Sequence, residues 1–320
     1  MKQEWRFEKG LHETGNGLYA WLQPDGGWGW SNAGLIVDGD QSLLVDTLFD
    51  AKLTQEMLDV MSDVAGIAPA AINTVVNTHA NGDHTHGNGL CTSAEVIASA
   101  ARAREMEAFT PQMMQGFMDA ADQLGDTGLY LKEIFGPFDF RQVAEKLPTR
   151  TFSGDLQLQV GGKHVELIEV GPAHTRGDVL VYVPEEKTVF TGDILFIDGT
   201  PLMWAGPVEN WIAACDRIIA MQADVIVPGH GPITDAAGVR RVQEYLLYVQ
   251  AETRKRFDAG LSVREAALDI SLSQFDSWGD AERIAINVDT LYREFSGTHS
   301  SADTVALFTL MAEIRKDQRG

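Results

Sequence analysis

Apolar and polar positions alternate in short runs along the first third of the chain. Leu18 to Leu22, Gly34 to Val37 and Ser42 to Asp46 each have the length of a strand, and Asp38-Gly39-Asp40 between the last two is a hairpin signal. Leu53, Met57, Leu58 and Met61 then recur at helical spacing, and the apolar run Ile72 to Val76 ends at Asn77-Thr78-His79. Strand, helix, strand is the predicted order. From Ala94 to Phe140 the pattern reads as helical: Thr110 before Pro111 predicts a capped start, and Met113, Met114, Phe117, Met118, Ala121 and Leu124 share one broad face. A helical insertion between strands is expected there.

The strand pattern resumes at Leu156 to Val160, Val165 to Val170, Val179 to Val183 and Thr188 to Phe190, separated by Gly161-Gly162 and Pro184-Glu185-Glu186. Val225-Ile226-Val227 precedes Pro228-Gly229-His230-Gly231-Pro232, and a long helix with Val239, Val242, Leu246 and Val249 on one face stops at Gly260. Ser262 and Glu265 form a capping-box pattern. Helices are predicted over 261–270, 281–295 and 304–314. The expected organisation is a mixed α/β domain over 1–250, with its helical insertion at about 94–140, and a C-terminal helical extension over 251–320.

Composition narrows the class. The 320 residues are 44% hydrophobic, enough for a full core. Twenty-five basic against 46 acidic residues leave a formal charge of -21, which argues against a nucleic-acid partner. Residues 1–10 have no apolar run of signal-peptide type, and no later stretch is long enough to span a bilayer, so no membrane partner is expected. Cys91 and Cys215 sit in ordinary packed segments, so a disulfide framework is not expected, and a reducing cytoplasm is the expected compartment.

Four of eight histidines, His79, His84, His174 and His230, stand beside turn residues at strand ends, as do Asp83 and Asp193. Imidazole with carboxylate is the donor set of zinc and other borderline divalent ions, and strand-end loops can aim ligands from distant sequence at one point. Thr78-His79-Ala80-Asn81-Gly82-Asp83-His84-Thr85-His86-Gly87 resembles the metal-binding signature of the metallo-β-lactamase superfamily. Gly171-Pro172-Ala173-His174-Thr175, Thr191-Gly192-Asp193 and Pro228-Gly229-His230-Gly231-Pro232 are similar to the family's later motifs, so the resemblance runs over about residues 15 to 250. It implies an αββα four-layer sandwich with one or two zinc ions, or iron or manganese in their place. By the same resemblance His79 and His174 serve one ion, Asp83, His84 and His230 the other, and Asp193 bridges. Asn81 replaces the family's usual second histidine; its amide oxygen is a weaker ligand, so the first position is expected to bind less tightly.

A metal of this kind lowers the pKa of a water that it holds to about 7 and polarises a carbonyl. Hydrolysis of a carboxylic ester, lactone, thioester or amide of a small, apolar molecule is therefore the first functional expectation, with Asp83 as ligand and proton relay. The alternatives are a mononuclear iron sulfur dioxygenase built on His79, His174 and Asp193, and a binding protein that has lost catalysis. Trp28 and Trp30, in the glycine-rich segment 26–32, are candidates to contact substrate, either as a loop that closes over it or as a plug on the sandwich edge. Arg176 is a further candidate, for an anionic group. His86 is expected to be carried away by a following helix. The 251–320 helices could pack down, cap the site or form a homodimer contact.

Overall fold

The computed structural model describes residues 5–105, 110–298 and 302–318. Twelve strands lie in two sheets among them. β1 (Gly10–Gly15), β2 (Leu18–Leu22), β3 (Ala33–Asp38), β4 (Gln41–Val45), β5 (Thr74–Val76), β6 (Glu95–Ser99) and β7 (Arg150–Phe152) pair in chain order, antiparallel as far as β4 and parallel from there. β8 (Asp155–Val160), β9 (Lys163–Glu169), β10 (Val179–Val183) and β11 (Thr188–Phe190) form an antiparallel sheet that ends in a parallel pair with β12 (Val225–Val227).

Alternation along the strands makes four layers. Ile36, Leu43, Val45 and Val76 of the first sheet meet Val165, Leu167, Val181 and Phe190 of the second in one apolar layer. Leu35, Leu44 and Val75, one residue out of phase, face Met57, Leu58 and Met61 of α1 (Ala51–Ala65). Leu180, Val189 and Ile226 turn outward from the second sheet onto Trp211, Cys215 and Ile218 of α5 (Val208–Ala220) and Val239 and Val242 of α6 (Ala236–Asp258). Gly34 is required by the sheet packing: a Cβ there would stand 2.3 Å from the Phe190 ring. The molecule is the expected αββα sandwich.

The insertion departs from expectation at its start. Glu95–Ser99 is a central strand rather than helix, because its two β-branched residues extend the parallel ladder from β5. Helices follow: α2 (Ala100–Glu105), α3 (Pro111–Ala120) and α4 (Gly125–Phe135). Thr110 caps α3 by accepting from the Met113 amide, with Pro111 at the first helical position. The C-terminal segment contains α7 (Val263–Asp269), opened by the Ser262–Glu265 capping box, then α8 (Ile284–Ser296) and α9 (Thr304–Asp317). Leu307, Met311 and Ile314 share one apolar cluster with Trp28, Phe135 and Trp211. No helix among the described residues is long and apolar enough to cross a membrane.

Candidate metal centre

All the candidate ligands lie in the turns that follow the strands. His79 follows β5, and a single 3-10 turn, Gly82–His84, presents Asp83 and His84. His174 lies between β9 and β10, Asp193 in the turn after β11, and His230 after β12. Glycine lets these turns close up: a Cβ on Gly229 would stand 2.0 Å from Asp193 Oδ1, and one on Gly192, at φ 51°, would stand 2.4 Å from Thr78 Oγ1.

Asp193 is the hub. His84 Nε2 stands 3.1 Å from its Oδ1, and the Nε2 atoms of His79, His174 and His230 stand 3.5, 3.4 and 3.5 Å from its Oδ2. Asp83 Oδ2 lies 3.3 Å from His230 Nε2 and 3.8 Å from His84 Nε2. Among the described residues, two groups have donor atoms all within 4.8 Å of one another: His79, His84 and Asp193, and Asp83, His84 and His230. Asn81 Nδ2 donates to His174 Nε2 at 3.1 Å.

The rear of three of the four imidazoles is fixed, while His230 Nδ1 is buried without a hydrogen-bond partner. His84 Nδ1 donates to Asp46 Oδ2 at 2.9 Å, and His174 Nδ1 donates to the Leu202 carbonyl. His79 Nδ1 donates to Thr78 Oγ1 at 3.0 Å, whose own proton goes to Asp46 Oδ2 at 2.7 Å. With their protons on Nδ1, His79 and His84 aim Nε2 at the Asp193 carboxylate, while the His174 Nε2 lone pair takes the Asn81 amide proton. His79 Nε2, His84 Nε2 and Asp193 Oδ1 are buried without a hydrogen-bond partner. Acceptors facing acceptors in a dry site suit a divalent cation, so the donor set fits the metal that the sequence pattern implies.

Electrostatics follow the same arrangement. Burial alone would raise Asp83, but His84 and His230 outweigh it and bring its carboxyl down to about 2. Asp193 is held well below the usual carboxylate range by His230, His84 and His79 against its burial. Burial pushes His174 down to about 3 and lowers His79, to which neighbouring His84 adds; His84 itself is raised, because Asp193, Asp83 and Asp46 overcome its burial.

A cavity of about 590 Å³ opens onto this cluster. Asn81, Asp83, Asp193 and His230 line it at one end, and Met114, Phe117, Leu131, Phe135 and Phe308 line it elsewhere. Trp28 and Arg176 are on its wall; Trp30 is not among the lining residues and packs on Phe138, with ring centroids 5.0 Å apart. The 26–32 segment is tied down: Asn32 Nδ2 donates to the carbonyls of Pro228 and Gly231, and Ser31 Oγ to that of Asp83. His86 is not carried away. It stays on the cavity wall, stacked on Phe49 with centroids 5.5 Å apart, because a 3-10 turn rather than an α-helix follows Thr85. Asp46, Glu282 and Arg283 have structural parts in this region that local sequence pattern did not signal.

A family model described as the metallo-beta-lactamase superfamily matches residues 26–230. The α subunit of 2,4-dinitroanisole O-demethylase from Nocardioides sp. is 33% identical over 88 residues, 26% of each chain. A linear primary-alkylsulfatase from Pseudomonas sp. is 22% identical over 257 residues, covering 72% of this chain and 48% of the relative. The chain thus spans half or less of the length of these relatives. A solved stereoselective inverting sec-alkylsulfatase from Pseudomonas sp. superposes with a TM-score of 0.65 at 16% identity, covering 90% of this chain and 50% of that one.

Proposed function

Because the chain belongs to the metallo-β-lactamase superfamily, we propose that it is a metal-dependent hydrolase of a carboxylic ester, lactone, thioester or amide on a small apolar molecule. The observation that carries this reading is one continuous chamber whose wall includes Asp83, Asp193 and His230 and is otherwise mostly apolar, with Arg176, Arg283 and Arg293 among its few charged residues. His79, His174 and Asp193 would hold one ion, Asp83, His84 and His230 another, and imidazole with carboxylate suits zinc. Such an ion supplies Lewis acidity toward a carbonyl and a hydroxide equivalent at neutral pH.

The chain's own residues do the rest. Asp83 is both at the ligand cluster and on the chamber wall, so its carboxylate, kept ionised by His84 and His230, is placed to take a proton and pass it to the leaving group. Trp28, Phe135 and Phe308 exclude water from the apolar part of the substrate, and Arg176 stands where a polar group could meet it. Cys91 and Cys215 are buried and free, which suits a reducing cytoplasm.

A second reading is cleavage of an alkyl sulfate. In its favour is the likeness to alkylsulfatases, which extends over 72% and 90% of this chain. One experiment tests both: metal content of the purified chain, followed by assays with aryl esters, lactones, acyl thioesters and octyl sulfate. One or two zinc ions per chain with ester or lactone turnover supports the first reading. Turnover of octyl sulfate alone selects the second. A single iron with oxygen uptake overturns both in favour of dioxygenase chemistry.

A further inference from the structure

The chamber wall farthest in sequence from the ligand motifs comes from the C-terminal segment. Phe308 of α9 meets Trp28 at 5.9 Å and Phe135 at 6.1 Å between ring centroids, and Trp28 meets Phe135 edge-on at 5.8 Å. Three parts of the chain thus contribute one aromatic corner, and all three rings line the cavity.

Two consecutive residues brace that corner. Glu282 is wholly buried; its Oε1 accepts from Trp28 Nε1 at 3.3 Å and from the Tyr130 hydroxyl at 3.0 Å, while Oε2 pairs with Arg315 Nη1 at 3.2 Å. Arg283, 1% exposed, has its guanidinium carbon 4.6 Å from the Trp28 ring centre and 5.4 Å from that of Phe196. Phe196 in turn stacks on His230, with centroids 5.0 Å apart and ring planes 3° from parallel. Arg283 Nη2 pairs with Asp280 at 2.9 Å, and Nη1 donates to the Thr200 carbonyl at 3.1 Å. One side of the dipeptide therefore holds the apolar corner, and the other supports a ring packed on a ligand histidine.

Each of these charges has an opposite partner: Glu282 and Glu133 share Arg315, Arg283 pairs with Asp280, and Arg293 with Asp289 at 2.9 Å. A wall balanced in this way offers area rather than charge to what it binds. We propose that the Trp28–Phe135–Phe308 corner is the specificity subsite for an uncharged, extended alkyl or aryl group of the substrate, with Glu282 and Arg283 as its positioning residues. The inference rests on reading the chamber as the substrate site of the proposed hydrolase.

The test uses the full-length, metal-loaded chain, 4-nitrophenyl esters from acetate to octanoate, and binding of uncharged N-phenyl-1-naphthylamine followed by fluorescence. Wild type should gain up to about fourfold in 1/KM per added methylene until the corner is filled. Phe308→Leu should flatten that series and weaken probe binding, with metal content unchanged. Glu282→Leu, which removes every bond to the carboxylate, should raise KM for octanoate about tenfold. Glu282→Gln, which can still accept from Trp28 and Tyr130, should recover part of that loss. Arg283→Met tests the other half of the brace, and thermal melts of all variants identify any that fail to fold. A well-folded Phe308→Leu with unchanged probe binding and chain-length preference overturns the subsite. Equal losses for acetate and octanoate in the Glu282 variants overturn the positioning role. If no ester is turned over yet the probe still reports the Phe308 and Glu282 effects, the hydrolase reading fails and the subsite stands.

Discussion

Asp46 Oδ2 accepts from His84 Nδ1 at 2.9 Å, while the same carboxylate receives the Thr78 amide and hydroxyl, each at 2.7 Å. A single buried side chain thus orients His84 directly and His79 through Thr78. It does so from a left-handed backbone position, φ 62°, at the end of β4, where the chain turns toward the site. Asp46→Ala should lower metal affinity about 10- to 100-fold, as loss of a carboxylate behind a ligand histidine typically does. Zinc titration against a competing chelator measures this, and an affinity within twofold of wild type would remove Asp46 from the site.

Asn81 permits a sharper metal test. Its amide nitrogen occupies the His174 Nε2 lone pair at 3.1 Å, so the side chain of residue 81 already reaches the ligand cluster. Asn81→His should strengthen the position served by His79, His174 and Asp193, because an imidazole is the better zinc ligand. The expected outcome is a rise in bound zinc per chain under limiting metal, measured by elemental analysis after dialysis. No change in stoichiometry or affinity would mean that residue 81 does not govern occupancy.

How much of this could be read from sequence differed by feature. The turns that carry the candidate ligands were legible because each pairs a histidine or aspartate with glycine or proline close after an apolar run, a local signal. The sandwich was legible only through the family resemblance that those turns carry; the short apolar runs gave the strands. β6 was misread as helix because a run as short as Val96 to Ala98 fits either period, and only its pairing with β5 decides. β1 gave no apolar signal at all: Gly10–Gly15 is an edge strand fixed by its partner β2. Asp46 reads locally as the end of a strand, and Glu282 as one more acid in an acidic chain. Their roles exist only where separated segments meet, so periodicity cannot report them.

Trp211 beneath the site provides a stability prediction. The side chain is fully buried, its Nε1 donates to the Ile194 carbonyl at 2.9 Å, and its ring lies edge-on to His174 at 5.8 Å. Trp211→Phe leaves that carbonyl without its donor, at a cost of about 1–3 kcal/mol, with a further loss from the smaller ring. Urea denaturation should show a lower midpoint at unchanged m. A midpoint equal to wild type would mean that the neighbouring carbonyl finds another donor.

A last prediction concerns pH and lies away from the ligands. Glu294 of α8 is half-buried, its Oε2 accepts from the Val208 amide at 3.2 Å at the start of α5, and Glu209 stands beside it. Burial, reinforced by the Glu209 carboxylate and only partly opposed by that amide, lifts the Glu294 carboxyl from 4.5 to about 7. A carboxyl raised on folding favours the folded state in its protonated form. That contribution is complete below pH 4.5 and is lost as pH climbs through 7, where the two carboxylates repel. Glu294→Gln keeps an acceptor for Val208 and removes the titration, so the melting temperature of the variant relative to wild type should rise between pH 5 and pH 8. Partial solvent exposure keeps the effect small and makes it shrink in high salt. Thermal melts at the two pH values measure it, and a difference that stays constant or falls with pH would rule out a shared proton at this contact.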